Sequence, residues 1–365
     1  RENLVISTYN NVKIFFLCNH SALPFDPFAA SFYMLSRYEE YLTHNKDQIG
    51  RFDVSDSLAF KNDFLTHPVV DYWILFIKET LLSRFSHLSF HKHQFQFINT
   101  IDVDNAYAYL EKGFFRTVAA FLKDVIGLKF ESLRKRLGVL LFNKKDPYDT
   151  YKKLLSIHNK YNLKIIFFFL LGNYGIYDRN VSYKSVKLKK QIQEISNYCD
   201  IGLHSSMGSV IKPRQTVLEI KRLEYLIKKK VIRNRQHFLF LNIPLNYRNL
   251  INAGIEHDYS MGFPAHPGFR AGTSFPFYFF DLENNITTNL LVHSFSVMDV
   301  SLNHYLKMNP QNSLQLIKKI ISRIKDVNGT FVSIWHNESL NYQNQWQDWS
   351  FIYEDMIRYA TDERI

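Results

Sequence analysis

Residues 97–104 read FINTIDVD, an apolar, strand-like run that closes on two acidic side chains. Four later stretches have the same layout, with an acidic, imidazole or guanidinium side chain in or beside an apolar run: DIGLHSS at 200–206, RQHFLFL at 235–241, DYSMGF at 258–263 and TFVSIWHNES at 330–339. Because α/β barrels build their active sites at the C-terminal ends of parallel strands, this repetition predicts a barrel enzyme.

The order of elements gives the fold class. From Phe97 onward, strand-like runs alternate with helical ones, which predicts parallel strands with right-handed crossovers. Seven such runs are predicted, at 97–104, 164–171, 200–204, 236–241, 258–262, 290–299 and 329–336. We therefore predict an α/β fold, a distorted seven-stranded (β/α) barrel over 97–365 preceded by a smaller N-terminal α/β accessory region over 1–96. The basic, apolar segment 113–145 predicts a helical insertion after the first strand.

Composition narrows the class of protein. The 365 residues carry a formal charge of +11, which fits a basic soluble surface or attraction to anionic glycans or phospholipid. No nucleic-acid motif is present, so nucleic acid is not an expected partner. The chain also lacks the GxGxxG, GxxxxGK[ST], GxSxG and HExxH patterns, which argues against nucleotide-dependent chemistry and a serine-hydrolase elbow.

The cysteine content and the length of the apolar runs bear on where the protein is located. Cys18 and Cys199 are the only cysteines and lie far apart, which predicts no disulfide framework and favours a cytoplasmic location over export. No apolar run reaches the length of a membrane span. The chain starts at Arg1 without an initiator Met, and we expect its N-terminus to be truncated.

The strand-end residues are the candidates for chemistry. Asp102 and Asp104 are two apart and share a strand face, so one carboxylate could hold a metal while the other acts as a base. They could instead be solvent-facing or capping aspartates. His204 could be a ligand or a structural imidazole, and His336 could donate a proton to a leaving group.

A second group could bind substrate or complete the site. Arg235 and His237 are predicted to share a strand face, where Arg235 could orient an anion and His237 could be a metal ligand or a packed imidazole. Further candidates for substrate contacts are Arg270 in GFRAGT, Asp258, Asp299 and Trp335. Arg270 could equally belong to a simple turn, and Trp335, with Trp346 and Trp349, could stack on sugar rings or lie in the core.

These motifs, in this order, resemble those of the polysaccharide deacetylases of carbohydrate esterase family four, the NodB-homology group. The segment 100–104, TIDVD, resembles the family's TFDDG motif, and 204–208, HSSMG, resembles its H[ST]xxH motif. Arg235 and the run that ends in His336 match two further motifs. The stretches FDPFAASFYMLSRYEEYL, GIEHDYSMGF, GFRAGT and WHNES resemble a bacterial subgroup with an extra N-terminal region.

The resemblance implies a seven-stranded barrel, a divalent metal that is usually zinc, and removal of N- or O-acetyl groups from a glycan or glycan precursor. Asp102 would then be the general base, and Asp104 and His204 would be metal ligands. Arg235 would steer the base, and His336 would protonate the leaving amine. The implied enzyme is a hydrolase of carbon–nitrogen bonds other than peptide bonds.

Two departures from the family pattern leave alternatives open. Val103 separates two acids that are adjacent in the family, and Gly208 stands where the family has its second histidine ligand. We hypothesise that His237 or another strand-end residue replaces that ligand, because catalytic zinc normally has three protein ligands. The competing hypothesis is that metal binding is weakened or lost. The alternative is a catalytically degenerate barrel that binds a glycan or a partner, and a third possibility is a metal-dependent amidohydrolase of a small substrate.

Overall fold

The computed structural model describes residues 4–341 and 344–362. Within them the strands are β1 (Ser7–Tyr9), β2 (Val12–Ile14), β3 (Gln96–Val103), β4 (Ile165–Leu170), β5 (Asp200–Ser205), β6 (Arg233–Gln236), β7 (His257–Met261), β8 (Phe277–Asp281), β9 (Ile286–Ser294), β10 (Val297–Met298) and β11 (Thr330–His336).

Helices separate most of the strands. They are α1 (Pro27–Leu35), α2 (Tyr38–Tyr41), α3 (Leu58–Lys61), α4 (Val69–Arg84), α5 (Phe114–Ile126), α6 (Phe130–Leu141), α7 (Tyr151–Lys160), α8 (Val186–Ser196), α9 (Met207–Ile211), α10 (Arg214–Ile227), α11 (Leu245–Asn252), α12 (Pro310–Asp326) and α13 (Trp349–Thr361). Among the residues that the structure describes, every helix is too short or too polar to cross a membrane.

The main sheet has nine strands in the order β10-β11-β3-β4-β5-β6-β7-β9-β8, and β1 and β2 form a separate hairpin. The pairs β4–β5, β6–β7, β7–β9 and β10–β11 are parallel, whereas β8 runs antiparallel to β9. The fold class is therefore confirmed as mixed α/β with a mainly parallel sheet, consistent with a (β/α) barrel, and a small N-terminal region. The seven predicted runs do not include β8, and they join β9 and β10 into one run.

Two local predictions can be compared with the structure. The predicted strand over 236–241 is wrong, because β6 ends at Gln236 and His237–Leu239 form a 3-10 turn in which Phe238 has a φ of 57°. The helical insertion over 113–145 is confirmed by α5 and α6.

The chain divides into two compact units, Arg1–Asn99 with Ile232–Ile334 and Asp355–Ile365, and Thr100–Val231 with Trp335–Glu354. We refer to them as the first and the second unit. The division at residues 96 and 97 that the sequence suggested remains a prediction.

The first unit joins the N-terminal helices to the GFRAGT loop. Asp26 caps α1 by accepting hydrogen bonds from the backbone N–H groups of Phe28 and Ala29, both at 3.0 Å. Gly268 in the loop has a φ of 137°, and a Cβ there would lie 2.5 Å from the carbonyl oxygen of Leu65. Glycine is therefore required for this close approach.

The core of the second unit is built on β4 and β5. All six residues of β4, sequence IIFFFL, are buried, as expected for a parallel strand covered on both faces. Leu170 near the end of β4 pairs with His204 of β5. The apolar run thus fixes the position of the imidazole at the carboxyl end of the strand.

Candidate active site

Three strand ends of the second unit carry the predicted acidic and imidazole side chains. Asp102 lies inside β3 and is 2% exposed, whereas Asp104 is the first residue after the strand and its side chain is 34% exposed. His204 is buried within β5, and His336 is the buried last residue of β11.

These four side chains lie close together. Nε2 of His204 is 3.0 Å from Oδ1 of Asp104 and 3.8 Å from Oδ2 of Asp102. Nε2 of His336 is 3.8 Å from Oδ2 of Asp104. Asp104 therefore stands between two imidazoles, and His204 stands between two carboxylates.

The donor set suits part of a zinc site. Imidazole nitrogen and carboxylate oxygen are ligands that zinc takes at about 2.0–2.1 Å, so two of them on one tetrahedral ion are roughly 3.3 Å apart. The 3.0 Å between His204 Nε2 and Asp104 Oδ1 is close to that spacing. Two such donors fit a zinc ion, but a catalytic zinc usually has three protein ligands.

Asn337 forms hydrogen bonds between the chain segments that carry Asp104 and His336. Its Nδ2 donates to the carbonyl oxygens of Asn105 at 3.2 Å and Tyr148 at 2.9 Å. The hydroxyl of Thr150 donates to the Asn337 carbonyl at 2.7 Å. Because Asn337 follows His336 and Asn105 follows Asp104, these bonds fix the two reactive side chains relative to each other.

Lys112 lies beside the same segment. Its ammonium group donates to the side-chain oxygen of Asn105. Burial, assisted by the charge of Arg116, lowers the pKa of Lys112 to about 7, although the carboxylates of Asp146 and Glu338 oppose that shift. A partly exposed lysine near half protonation at neutral pH is thus held next to the acidic end of β3.

Buried acids hold the turn that follows β5. Glu219 accepts hydrogen bonds from the backbone N–H of Ser206 at 3.0 Å and from its hydroxyl at 2.5 Å. Burial raises the pKa of Glu219 despite these bonds. Asp178 accepts from the backbone N–H groups of Met207 at 2.9 Å and Gly208 at 3.1 Å.

Gly208 stands where a second histidine ligand was expected. A Cβ built on it would meet Ser206 Oγ at 3.4 Å and Asp178 Oδ2 at 3.8 Å, which are ordinary contacts. A side chain at this position is therefore sterically possible, and it would leave the backbone towards Asp178.

Arg235 and His237 are both buried in the first unit. Nε of Arg235 donates to the carbonyl oxygen of Tyr259 at 2.9 Å. His237 lies in the 3-10 turn beyond β6, so the shared strand face expected for the two residues is not found.

Asp258 and Asp299 are completely buried in the first unit. Asp258 accepts from Asn234 Nδ2 at 3.0 Å and from the N–H and hydroxyl of Ser260 at 2.9 and 2.8 Å. Burial raises the pKa of Asp258, and these three bonds oppose the shift. Asp299 accepts from the N–H of Val300 at 2.7 Å.

Arg270 and Trp335, which were predicted to contact substrate, are buried and contact other residues of the protein. Arg270 is buried and forms a two-point ion pair with Glu40, Nε to Oε1 at 2.9 Å and Nη2 to Oε2 at 2.6 Å, while its Nη1 donates to the Gly262 carbonyl at 3.1 Å. Trp335 has no exposed surface and packs on Tyr353, with ring centroids 4.9 Å apart. A sugar ring could not reach the face of Trp335.

Sequence reasoning missed the supporting residues around the four reactive side chains. Asn105, Lys112, Asp178, Glu219 and Asn337 are single polar residues with no repeated pattern. The only sequence signal was the position of Asn105 and Asn337 directly after a strand-end candidate.

Comparison with known proteins gives limited matches. Residues 1–86 match the model of a family of unknown function, DUF7033. No curated protein matches the chain.

Solved structures with a similar course of the chain were found. One, from Mycobacterium smegmatis and provisionally described as a polysaccharide deacetylase, is 13% identical, with a TM-score of 0.48 over 76% of this chain and 87% of that one. The Puue allantoinase is 10% identical, with a TM-score of 0.45 over 76% and 89%. A probable polysaccharide deacetylase from Pseudomonas aeruginosa PAO1 is 11% identical, with a TM-score of 0.44 over 74% and 85%. Similarity at this level establishes neither a family nor a function for this chain.

Proposed function

We propose that the chain is a metal-dependent hydrolase that removes acetyl groups from a glycan or glycan precursor. The observation that carries this proposal is the cluster of two carboxylates and two imidazoles, in which His204 Nε2 lies 3.0 Å from Asp104 and 3.8 Å from Asp102. The cluster joins the motif positions on which the sequence resembles the carbohydrate esterase family four enzymes. Its place at strand ends is where α/β barrels do their chemistry.

In this proposal Asp104 and His204 hold a divalent metal, which we take to be zinc, and His237 is the third ligand. Its support within the second unit is that His204 Nε2 and Asp104 Oδ1, both ligand-type atoms, lie 3.0 Å apart. His237 is buried and follows the end of β6, and three protein ligands are usual for catalytic zinc. A bound metal would acidify water and polarise the acetyl carbonyl.

The remaining side chains would move protons and orient groups. Asp102, which is buried and lies on the same side of β3 as Asp104, would take the proton of the attacking water. Arg235 would orient the base, and His336 would give a proton to the leaving amine or alcohol as the bond to the acetyl carbon breaks. Asp258, Asp299, Arg270 and Trp335 have structural roles in this proposal.

The proposal is tested by measuring metal content and acetate release together. Protein purified without chelator should hold close to one equivalent of zinc and release acetate from at least one of a panel of acetylated oligosaccharides. Asp102→Asn should keep the metal and lose acetate release by on the order of 10²–10⁴-fold. His204→Gln and His237→Gln should lose metal, while the exposed control His87→Gln should change neither quantity.

Three outcomes would contradict it. Less than roughly a tenth of an equivalent of metal, unrecovered by added zinc, together with no acetate release, would support the degenerate, glycan-binding alternative. Full metal content in His237→Gln would remove that residue from the ligand set. Equal acetate release by Asp102→Asn and the parent would refute the base assignment.

A further inference from the structure

In the helical insertion after β3, a charged pair is buried between the helices and many apolar side chains are exposed. We refer to α5 and α6, with the residues around them over 112–145, as the hairpin. Asp124 is buried, and its Oδ2 accepts from Nη2 of Arg136 at 2.8 Å, from Nε at 3.1 Å and from the hydroxyl of Ser132 at 3.0 Å. A charged pair thus joins the two helices on their inner side, where a soluble helical hairpin has apolar contacts.

Ten apolar side chains of the hairpin face solvent. Phe115 is 86% exposed, Ile126 82% and Phe114 76%. The other exposed apolar residues of the hairpin are Val118, Leu122, Val125, Leu128, Phe130, Leu141 and Phe142. Residues 114, 118, 122 and 126 are four apart and form one stripe along α5. A stripe of exposed apolar side chains of this kind marks an interaction site.

The charge of the hairpin indicates which partner covers it. Residues 112–145 contain nine Lys or Arg and two Asp or Glu, and one of those acids, Asp124, is already paired inside the hairpin. A second copy of the chain, docked through the same face, would bring two strongly positive surfaces together at a cost. An anionic lipid surface offers an apolar layer below a negatively charged one, which matches both properties of the hairpin.

We propose that the hairpin docks on the surface of an anionic phospholipid membrane, with its exposed aromatic and aliphatic side chains in the headgroup–acyl boundary and its basic residues against the lipid headgroups. The helices lie on the bilayer and do not cross it. This inference does not depend on the proposed hydrolase activity, because it uses no residue of the active-site cluster.

The test is cosedimentation of the full chain with vesicles. Vesicles of phosphatidylcholine with about 30% phosphatidylglycerol should carry the protein down, and vesicles of phosphatidylcholine alone should bind it at least about tenfold more weakly. Raising the salt from about 0.1 M to about 0.5 M should weaken binding to the anionic vesicles, because the headgroup attraction is screened.

Variants separate the apolar and the charged contribution. The triple variant Phe114→Ser, Phe115→Ser, Ile126→Ser should bind anionic vesicles at least about tenfold more weakly, with an unchanged melting temperature because these side chains are exposed. The matched control Ile176→Ser, Tyr198→Ser, Ile211→Ser removes three comparably exposed side chains outside the hairpin and should bind like the parent. Lys123→Glu with Arg134→Glu should remove the preference for anionic lipid.

Several results would overturn the inference. They are absence of cosedimentation of the parent with anionic vesicles, equal binding by the parent and the Phe114, Phe115, Ile126 variant, and equal loss in the control variant. A parent dimer in sedimentation velocity that this variant dissolves, without vesicle binding by the parent, would assign the face to a second copy instead.

Discussion

Asp102 and Asp104 show how one intervening residue gives two carboxylates different environments. Val103 between them is buried, Asp102 is enclosed within β3, and Asp104 stands just past the strand and is partly open to solvent. Both nevertheless approach the same nitrogen of His204. A buried acid and a more accessible one can take different roles, which is what splitting base and ligand functions requires.

At the residue scale we predict that Asn337→Ala weakens both stability and catalysis. The substitution leaves the carbonyl oxygens of Asn105 and Tyr148 without their Asn337 donor, which should lower the free energy of unfolding by about 1–3 kcal/mol. The distance between His336 and Asp104 would no longer be fixed, so kcat for acetate release should fall more than KM rises. Chemical denaturation and steady-state kinetics measure the two effects.

The exposed Asn312→Ala on α12 is the control and should match the parent in both measurements. A stable Asn337→Ala variant with unchanged kcat would show that the tie between the two chain segments is not needed.

At the element scale, two glycines test the packing around the turn from β5 into α9: Gly208 lies in α9, and Gly172 follows β4 and approaches Ser206 of the turn. Gly208→Ala introduces a Cβ with only ordinary contacts inside α9 and should stabilise the protein by roughly 0.5–1 kcal/mol. Gly172→Ala would place a Cβ 2.5 Å from Cβ of Ser206 and should destabilise it by about 1–3 kcal/mol. Thermal and urea unfolding of the two variants test the difference in sign, and destabilisation of equal size in both would show that the turn is packed differently.

The elements also show what the sequence could and could not predict. Apolar runs ending in Asp102, His204 and His336 located the cluster, because buried strands have a sequence pattern and parallel strands end at one edge. The turn at His237–Leu239 could not be predicted, since its left-handed Phe238 sits in a run that otherwise has strand propensity. The contact of Glu219 with Ser206 could not be predicted either, because the two residues are 13 apart in the chain.

The burial of single side chains could not be predicted from the sequence either. Trp335 and Arg270 were both predicted to contact substrate, yet Trp335 packs on Tyr353 and Arg270 pairs with Glu40. Glu40, the partner of Arg270, is 230 residues away. Only the folded chain decides whether such a residue faces a ligand or the interior.

At the scale of the whole molecule, buried charges of the first unit set a pH dependence. Burial raises the pKa of Asp71 to about 6, although Ser274 and Thr273 donate hydrogen bonds to it. The folded state then binds this proton more tightly than the unfolded state, so the stability due to Asp71 is largest below about pH 4 and is lost as pH rises through 6. Glu40 acts in the opposite direction at lower pH: despite its burial, Arg270 and Arg37 lower its pKa to about 2, and its contribution is lost as pH falls from about 4.5 towards 2.

We therefore predict that Asp71→Asn changes the pH profile of stability. Between pH 5 and pH 7 the parent should lose roughly 1 kcal/mol of unfolding free energy through this group, and the variant should lack that loss. Urea unfolding of parent and variant at both pH values isolates the contribution from that of the histidines. The same pH dependence in both proteins would contradict the assignment.

A second prediction at this scale concerns the N-terminal region. Within the first unit, Glu40 pairs with Arg270, Asp71 accepts from Ser274 at 2.8 Å, and the backbone of Leu65 accepts from Phe269 at 2.8 Å. A chain starting at residue 97 would keep Arg270 without its carboxylate partner, which is strongly destabilising for a buried charge. We expect that fragment to bind hydrophobic dyes and to melt without cooperativity, and a monomeric fragment with a sharp melt would contradict this.

The reversed polarity of α5 and α6 has a consequence for how an enzyme of this kind would meet its substrate. The first helix of the hairpin, α5, begins ten residues after Asp104. A protein docked on a membrane through the hairpin would diffuse in the plane of the bilayer and not through the surrounding water. A sugar chain anchored in the same leaflet would then be encountered by lateral diffusion in two dimensions, and the encounter rate would depend on the number of such chains per unit area.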